Sequence, residues 1–272
     1  MRMSRMLGMV GGVFNEGSFT YTGNYVYSEN ADGFRIEFKS SGTLHLLKNV
    51  AVDAFIVGGG GSGGKGKGDG ERSGGGGGGG GGGYTLTVPQ IRLTAGQDIE
   101  VTVGAGGKNT FSDSTHRGGY PSYFGEYFAE GGAMGEDSGS NGGGRGGSGG
   151  GAGCVYNKTV KTNGATAGGT ANNSSDGGTG GLGQMDSKNT AAIRNKYGQL
   201  PTREFFLIDQ DATATAYSRG GNGGDGKSNT NGTAGTANTG NGGGGANVSY
   251  QTTNRAGGAG GSGIVIIRKA KA

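Results

Sequence analysis

The sequence predicts a mostly β protein: a β-sandwich-like unit, closed by the C-terminal strand, from which a glycine-rich excursion departs and packs as polyglycine-II helices. Three observations predict this. Short runs of alternating apolar and polar residues fill the N-terminal part of the chain. At the other end, Ile264-Val265-Ile266-Ile267 is apolar on both faces, the pattern of a central buried strand. Between them glycine dominates: it makes up 72 of 272 residues, and Gly74 to Gly83 is an unbroken run.

The elements follow in chain order. Phe34, Ile36 and Phe38 alternate with Arg35, Glu37 and Lys39, a half-buried strand. Leu44 and Leu46 alternate with Thr43 and His45, and Ser41-Gly42 between the two runs reads as a hairpin turn. Val50, Val52, Ala54 and Ile56 form one face of the next strand, with Phe55 and Val57 on the other. Tyr84, Leu86 and Val88 alternate with Thr85 and Thr87; Ile99, Val101 and Val103 alternate with Glu100 and Thr102; Pro89, Gly96 and Gln97 punctuate between them. The closing strand must return to these, so the glycine-rich middle leaves and re-enters one β unit. Helix signals are nearly absent, the best being the short stretch Thr190 to Tyr197.

From Gly104 to Gly263, glycine tracts alternate with polar inserts at Lys108–Arg117, Tyr156–Asn163, Met185–Leu200, Phe205–Tyr217 and Val248–Arg255, with no fixed period. Ordered glycine has one economical form. A left-handed helix with three residues per turn has no internal hydrogen bonds, and without side chains such helices pack side by side and bond to one another. Each glycine costs about 0.5–1 kcal/mol of extra backbone entropy relative to alanine, and each hydrogen bond returns about 0.5–1.5 kcal/mol net. Such an array is stable only with nearly all its backbone groups paired and a rigid anchor, which the β unit supplies. Ten residues at ~3.1 Å each make a rod of roughly 31 Å.

Composition excludes several classes. Three prolines and no strict every-third glycine register rule out collagen. One cysteine, Cys154, permits no intrachain disulfide. The net charge of +4, from 24 basic and 20 acidic residues, does not indicate a nucleic-acid partner. No apolar run is long enough for a membrane helix. Gly8, Gly11 and Gly12 interrupt the apolar stretch that a signal peptide would need, so none is expected; a protein made inside a cell without one can still work outside if lysis releases it.

The motifs are explained by the glycine content. Gly221 to Ser228 matches a phosphate-binding loop, but Asn229 to Gly235 would not form the helix that the chemistry requires. Gly220 to Ser228 also resembles one calcium β-roll repeat, with Lys227 where an apolar residue belongs and no tandem copies. Arg-Gly-Gly triplets begin at Arg117, Arg145 and Arg219, too few for a single-strand nucleic-acid binder. His45 and His116 lie far apart, no cluster has metal-ligand spacing and no catalytic constellation forms. The expectation is a non-enzyme without cofactor, metal or nucleotide. Tyr120, Tyr123, Phe124, Tyr127 and Phe128 are read either as core against the β unit or as an exposed aromatic surface.

Val52-Asp53-Ala54-Phe55-Ile56-Val57-Gly58-Gly59-Gly60, Gly83-Tyr84-Thr85, Val101-Thr102-Val103-Gly104-Ala105-Gly106-Gly107, Pro121-Ser122-Tyr123-Phe124-Gly125, Thr202-Arg203-Glu204-Phe205 and Gly257 to Arg268 resemble the glycine-rich domain proteins of bacteriophage tails. The likeness runs from about Phe19 to Arg268. It implies a β-sandwich holding a lattice of polyglycine-II helices. Related adhesins cap the long tail fibres of T-even-like phages, with loops at the lattice end on the host receptor.

The resemblance thus implies a virion protein made in the host cytoplasm and released by lysis. Its implied partners are other phage tail proteins and a bacterial surface receptor, protein or glycan, with weight for a homotrimer. A purely structural virion part (cap, plug or decoration protein) is the second reading, and ice or matrix binding by flat glycine faces the third.

The expected division is 1–30 as a lead-in attachment segment, 31–107 as sandwich with a polyglycine insert, 108–262 as lattice with loops, and 263–272 as returning strand and tail. The recognition residues expected on the inserts are Phe111, His116 and Arg117; Tyr156 and Lys158; and Arg194, Lys196 and Tyr197. Tyr and Arg are frequent anchors of recognition surfaces.

Overall fold

The computed structural model describes residues 13–30, 33–68, 73–109, 115–138, 142–147, 149–151, 153, 155–157, 217–224, 228–248 and 254–270. It is mostly β. One open antiparallel sheet, the A sheet, runs in the order β1 (Phe19–Tyr21), β4 (Gly42–Leu46), β9 (Asp98–Thr102), β10 (Ser122–Phe124), β11 (Tyr127–Ala129). The other, the B sheet, runs β2 (Tyr25–Asn30), β3 (Gly33–Phe38), β13 (Ile264–Lys269), β5 (Val50–Val57), β8 (Thr85–Leu93). A small third sheet joins β12 (Val155–Asn157), β7 (Ser73–Gly75) and β6 (Lys67–Gly68). Neither large sheet closes into a barrel.

Alternation decides the core. Phe19, Leu44, Leu46, Ile99, Val101 and Phe124 from the A sheet meet Phe34, Ile36, Phe38, Val52, Ala54, Ile56, Val265 and Ile267 from the B sheet in one buried cluster. The opposite face of β5 and β13 is buried as well, with Phe55, Val57, Ile264 and Ile266 gathered with Tyr217. Hence β13 is apolar on both faces and sits at the centre of its sheet, between β3 and β5, as the sequence predicts. On that outer face Asp53, 4% exposed, pairs with Arg268 directly across the ladder, Nη2 to Oδ2 at 3.2 Å. The backbone N–H of Gln90 donates to the other carboxylate oxygen of Asp53 at 3.0 Å.

Two local expectations are corrected. Phe34–Phe38 and Leu44–Leu46 do not form a hairpin: β3 pairs with β2 and β13, β4 pairs with β1 and β9, and the chain crosses between sheets at residues 39–41. Nor does Pro89 end its strand. It lies inside β8, an edge strand, where a missing N–H costs nothing. Gln90 beside it takes φ 59°, and the β5 register slips between Val52 and Ala54. The Phe19–Asn30 part of the expected lead-in segment supplies β1 and β2 of the sandwich. The helix expected at Thr190 to Tyr197 lies outside the described residues.

The glycine segments leave from one end of the sandwich, where β5, β9 and β11 finish and β8, β10 and β13 begin. Residues 77–84 run down the middle. Their N–H groups point outward with a three-residue period. Gly77, Gly80 and Gly83 donate to Ala246, Gly243 and Gly240; Gly78, Gly81 and Tyr84 donate to Glu136, Ala133 and Glu130; Gly79 donates to Gly151. The carbonyls follow the same period. Those of Gly78, Gly81 and Tyr84 accept from Gly64, Gly61 and Gly58; Gly79 and Gly82 from Gly144 and Gly147; Gly77 and Gly80 from Gly224 and Gly221. All lie between 2.7 and 3.0 Å, full-strength geometry. The Ser218 hydroxyl donates to the remaining carbonyl, Gly83. The near-complete pairing that the energetics demand is therefore met along this segment. At the root, buried Ser122 donates to Val57 O at 2.7 Å and accepts from Gly104 N–H at 2.9 Å, joining both sheets to the array.

The sandwich should report on alkaline pH. Tyr21 donates to Ser40 O at 2.6 Å, and burial pushes its phenol up to about 12. Tyr27 is also raised to about 12, first by burial and then by its hydrogen bond to Glu29. A raised phenol favours the folded state while protonated. That contribution is complete below the ordinary value of 10.0 and is lost as pH rises through about 12. Tyr21→Phe is expected to make the loss of stability across this window shallower, read from denaturant midpoints; an unchanged slope would contradict it.

Candidate functional site

The array sets where the inserts stand. Gly58 N–H bonds to Tyr84 O at the sandwich, Gly64 to Gly78 farther out, and Gly66 bridges Arg255 at the far end. The segment from Val57 to Gly66 thus runs outward from the sandwich to the far end of the array. At this far end β12 pairs with β7, placing Tyr156 opposite Gly74, and the side chain of Val248 lies against Gly66. The inserts that begin at Tyr156 and Val248 therefore depart from the end remote from the sandwich. The Lys108–Arg117 insert leaves the flank, where Lys108 N–H bonds His116 O and Ser62 N–H bonds Arg117 O. The Phe205–Tyr217 insert returns on the sandwich side, where Tyr217 packs edge-on against Phe55 at 5.8 Å.

Of the expected recognition residues, His116 is exposed, with Nδ1 3.0 Å from Thr115 Oγ1. Arg117 is 3% exposed. Its guanidinium lies inside the array, donating to Gly63 O at 3.1 Å and Gly135 O at 3.2 Å and pairing with Asp137 at 2.8 Å. Asp137 also accepts from Lys65 N–H at 2.8 Å. Arg117 thus ties the outgoing segments 58–66 and 130–138 together, whereas His116 beside it faces solvent. Phe111, Lys158, Arg194, Lys196 and Tyr197 lie outside the described residues.

The aromatic stretch divides between its two readings. Phe124 is core at 1% exposure and Tyr127 packs against the same cluster. Tyr123 and Phe128 pair across β10 and β11 on the outer face, stacked at 5.4 Å, and Tyr120 and Met134 are exposed on the adjoining segments. The sequence reading gave no signal for Met134, which looks like any residue of a glycine tract. It also gave none for the pairing of His45 Nδ1 with Asp98 Oδ1 at 2.5 Å across β4 and β9.

The phosphate-loop match is explained by the array. Gly221 and Gly224, whose N–H groups would cradle a phosphate, donate instead to Gly80 and Gly77. Among the described residues no His, Cys, Asp and Glu cluster has the makings of a metal site, and no helix is long and apolar enough to cross a membrane.

No curated protein matches the chain. The family model of the glycine-rich domain matches residues 40–270, from the crossing between sheets to the end of β13. That span contains the array and most of the sandwich, and the chain belongs to the glycine-rich domain family.

Proposed function

We propose that the glycine segments are polyglycine-II helices and that the chain is a bacteriophage tail protein, a tail-tip or tail-fibre adhesin. Its polar inserts recognise a protein or glycan on the bacterial surface, and its other partners are tail proteins. The helix assignment is supported by the three-residue hydrogen-bond period of residues 77–84. The observation that carries the recognition reading is the position of the Tyr156 and Val248 insert stems, at the end of the array farthest from the sandwich. A backbone held by bonds to several neighbouring segments relaxes little when a loop binds, so little ordering entropy remains to be lost in the scaffold.

The experiment is sedimentation of the purified protein with intact bacteria of candidate hosts. The expected result is saturable binding that Tyr197→Ala or His116→Ala weakens while the melting temperature stays unchanged. No binding to any strain, with sedimentation as a defined oligomer, would overturn the adhesin in favour of a structural virion part.

A further inference from the structure

Among the described residues, the rod of residues 240–248 is bonded outward in every direction but one. Its N–H groups reach Ser262, Gly61 and Gly64; Arg219 and Asn222; and Thr233 and Thr230. Its carbonyls at Gly240, Gly243 and Ala246 accept from Gly83, Gly80 and Gly77, and those at Asn241 and Gly244 accept from Gly261 and Gly258. The remaining set, Gly242 and Gly245, stands three residues apart on one face. Among the described residues no donor is directed at these two carbonyls. They form the floor of a groove of about 560 Å³ whose walls are the segments of Asn222 and Gly223 on one side and Thr233 and Thr236 on the other.

A second observation marks the same place. Within the array a Cβ added to a glycine meets a backbone carbonyl at about 2 Å, as at Gly245, 1.9 Å from Gly77 O. At Gly244 the nearest atom would be Thr233 N at 3.1 Å. The packing is loose at the groove, as it also is at Gly118, where the nearest atom would be Gly132 O at 3.8 Å.

We infer that this groove is an empty rod position, which takes an extended polypeptide segment from another molecule with glycine at every third residue. The chain carries its own template for such an occupant. The edge rod Gly232-Thr233-Ala234-Gly235-Thr236-Ala237 turns its glycines to the array and its threonines and alanines to solvent, with burial repeating every third residue. A Cβ at Gly232 would lie 1.9 Å from Gly244 O and one at Gly235 2.2 Å from Asn241 O. An occupant presenting N–H groups at a three-residue repeat of about 9 Å matches the Gly242 and Gly245 carbonyls. Any larger residue at the inward position is excluded by the same close approach.

The test is fluorescence anisotropy of a labelled Gly-Thr-Ala repeat peptide with the full chain, against an Ala-Thr-Ala repeat and a neutral oligosaccharide. The expected result is saturable binding of the glycine repeat, at least tenfold weaker for the alanine repeat. Thr233→Trp, which fills the groove from its wall, and Gly244→Ala, which raises its floor, should each weaken binding at least tenfold with the fold intact. Absence of binding, equal binding of the two repeats, binding of the oligosaccharide in place of the peptide, or full binding by both variants would each overturn the inference. Host-cell binding is a separate readout, so the adhesin reading stands or falls without it.

Discussion

Gly80→Ala is expected to lower the melting temperature by roughly 10 °C. An added Cβ would lie 2.2 Å from Gly61 O and 2.6 Å from Gly61 C. Both are backbone atoms of a rod whose own bonds run to Gly81, Gly107 and Gly243, so nothing there can rotate aside. Relief requires the two rods to separate, which breaks the Gly61–Gly81 bond and its neighbours. Over-packing a well-filled interior costs about 1–3 kcal/mol, occasionally more, and rigid backbone on both sides puts this site at the upper end. At about 2–4 °C per kcal/mol for a chain of this size, the stated drop follows. The opposite outcome is the ordinary one, since glycine to alanine at a tolerant site stabilises by about 0.4–1 kcal/mol through the unfolded state. A thermal melt that left Gly80→Ala equal to the parent would contradict close rod packing.

Arg117→Ala is the second large effect, expected at about 3 kcal/mol of destabilisation. The guanidinium satisfies the Gly63 and Gly135 carbonyls and faces Asp137. Hydrogen bonds to a charged group contribute about 1.5–3 kcal/mol, and buried acceptors left without donors add a penalty. Arg117→Lys keeps the charge but cannot span both carbonyls with a planar fork, so an intermediate loss is expected. Denaturant midpoints check the order parent, lysine, alanine. If binding to cells fell in these variants while stability held, Arg117 would be a contact residue instead of a strut.

Legibility from sequence followed how local each determinant is. The double-faced run Ile264 to Ile267 announces a central strand because burial on both sides leaves no polar alternation. Strand β5 is equally plain, with Val52, Ala54 and Ile56 against Phe55 and Val57. Ser41-Gly42 misleads because a tight reversal within one sheet and a crossing between two sheets use the same small, polar residues. Arg117 reads as a loop cation, since its burial is decided by carbonyls of Gly63 and Gly135 far away in sequence. The three-residue pattern of Gly232 to Ala237 stands in plain view, yet no period shared by all the tracts exists. Interior rods need glycine on every face and edge rods need it on one, so the two classes obey different rules. For the residues proposed to touch a receptor, nothing local in the sequence distinguishes a contact from a solvated side chain.

The central claim is that the glycine tracts are an ordered array held by the sandwich, and amide hydrogen exchange along residues 74–84 tests it most directly. The N–H groups of Gly77 to Gly81, Gly83 and Tyr84 each donate a hydrogen bond to a neighbouring segment, and these bonds open only if the segments part. The account predicts protection there comparable to that of β5 and β13. Exchange in this segment as fast as in an unfolded glycine peptide, with β5 and β13 still protected, would contradict it.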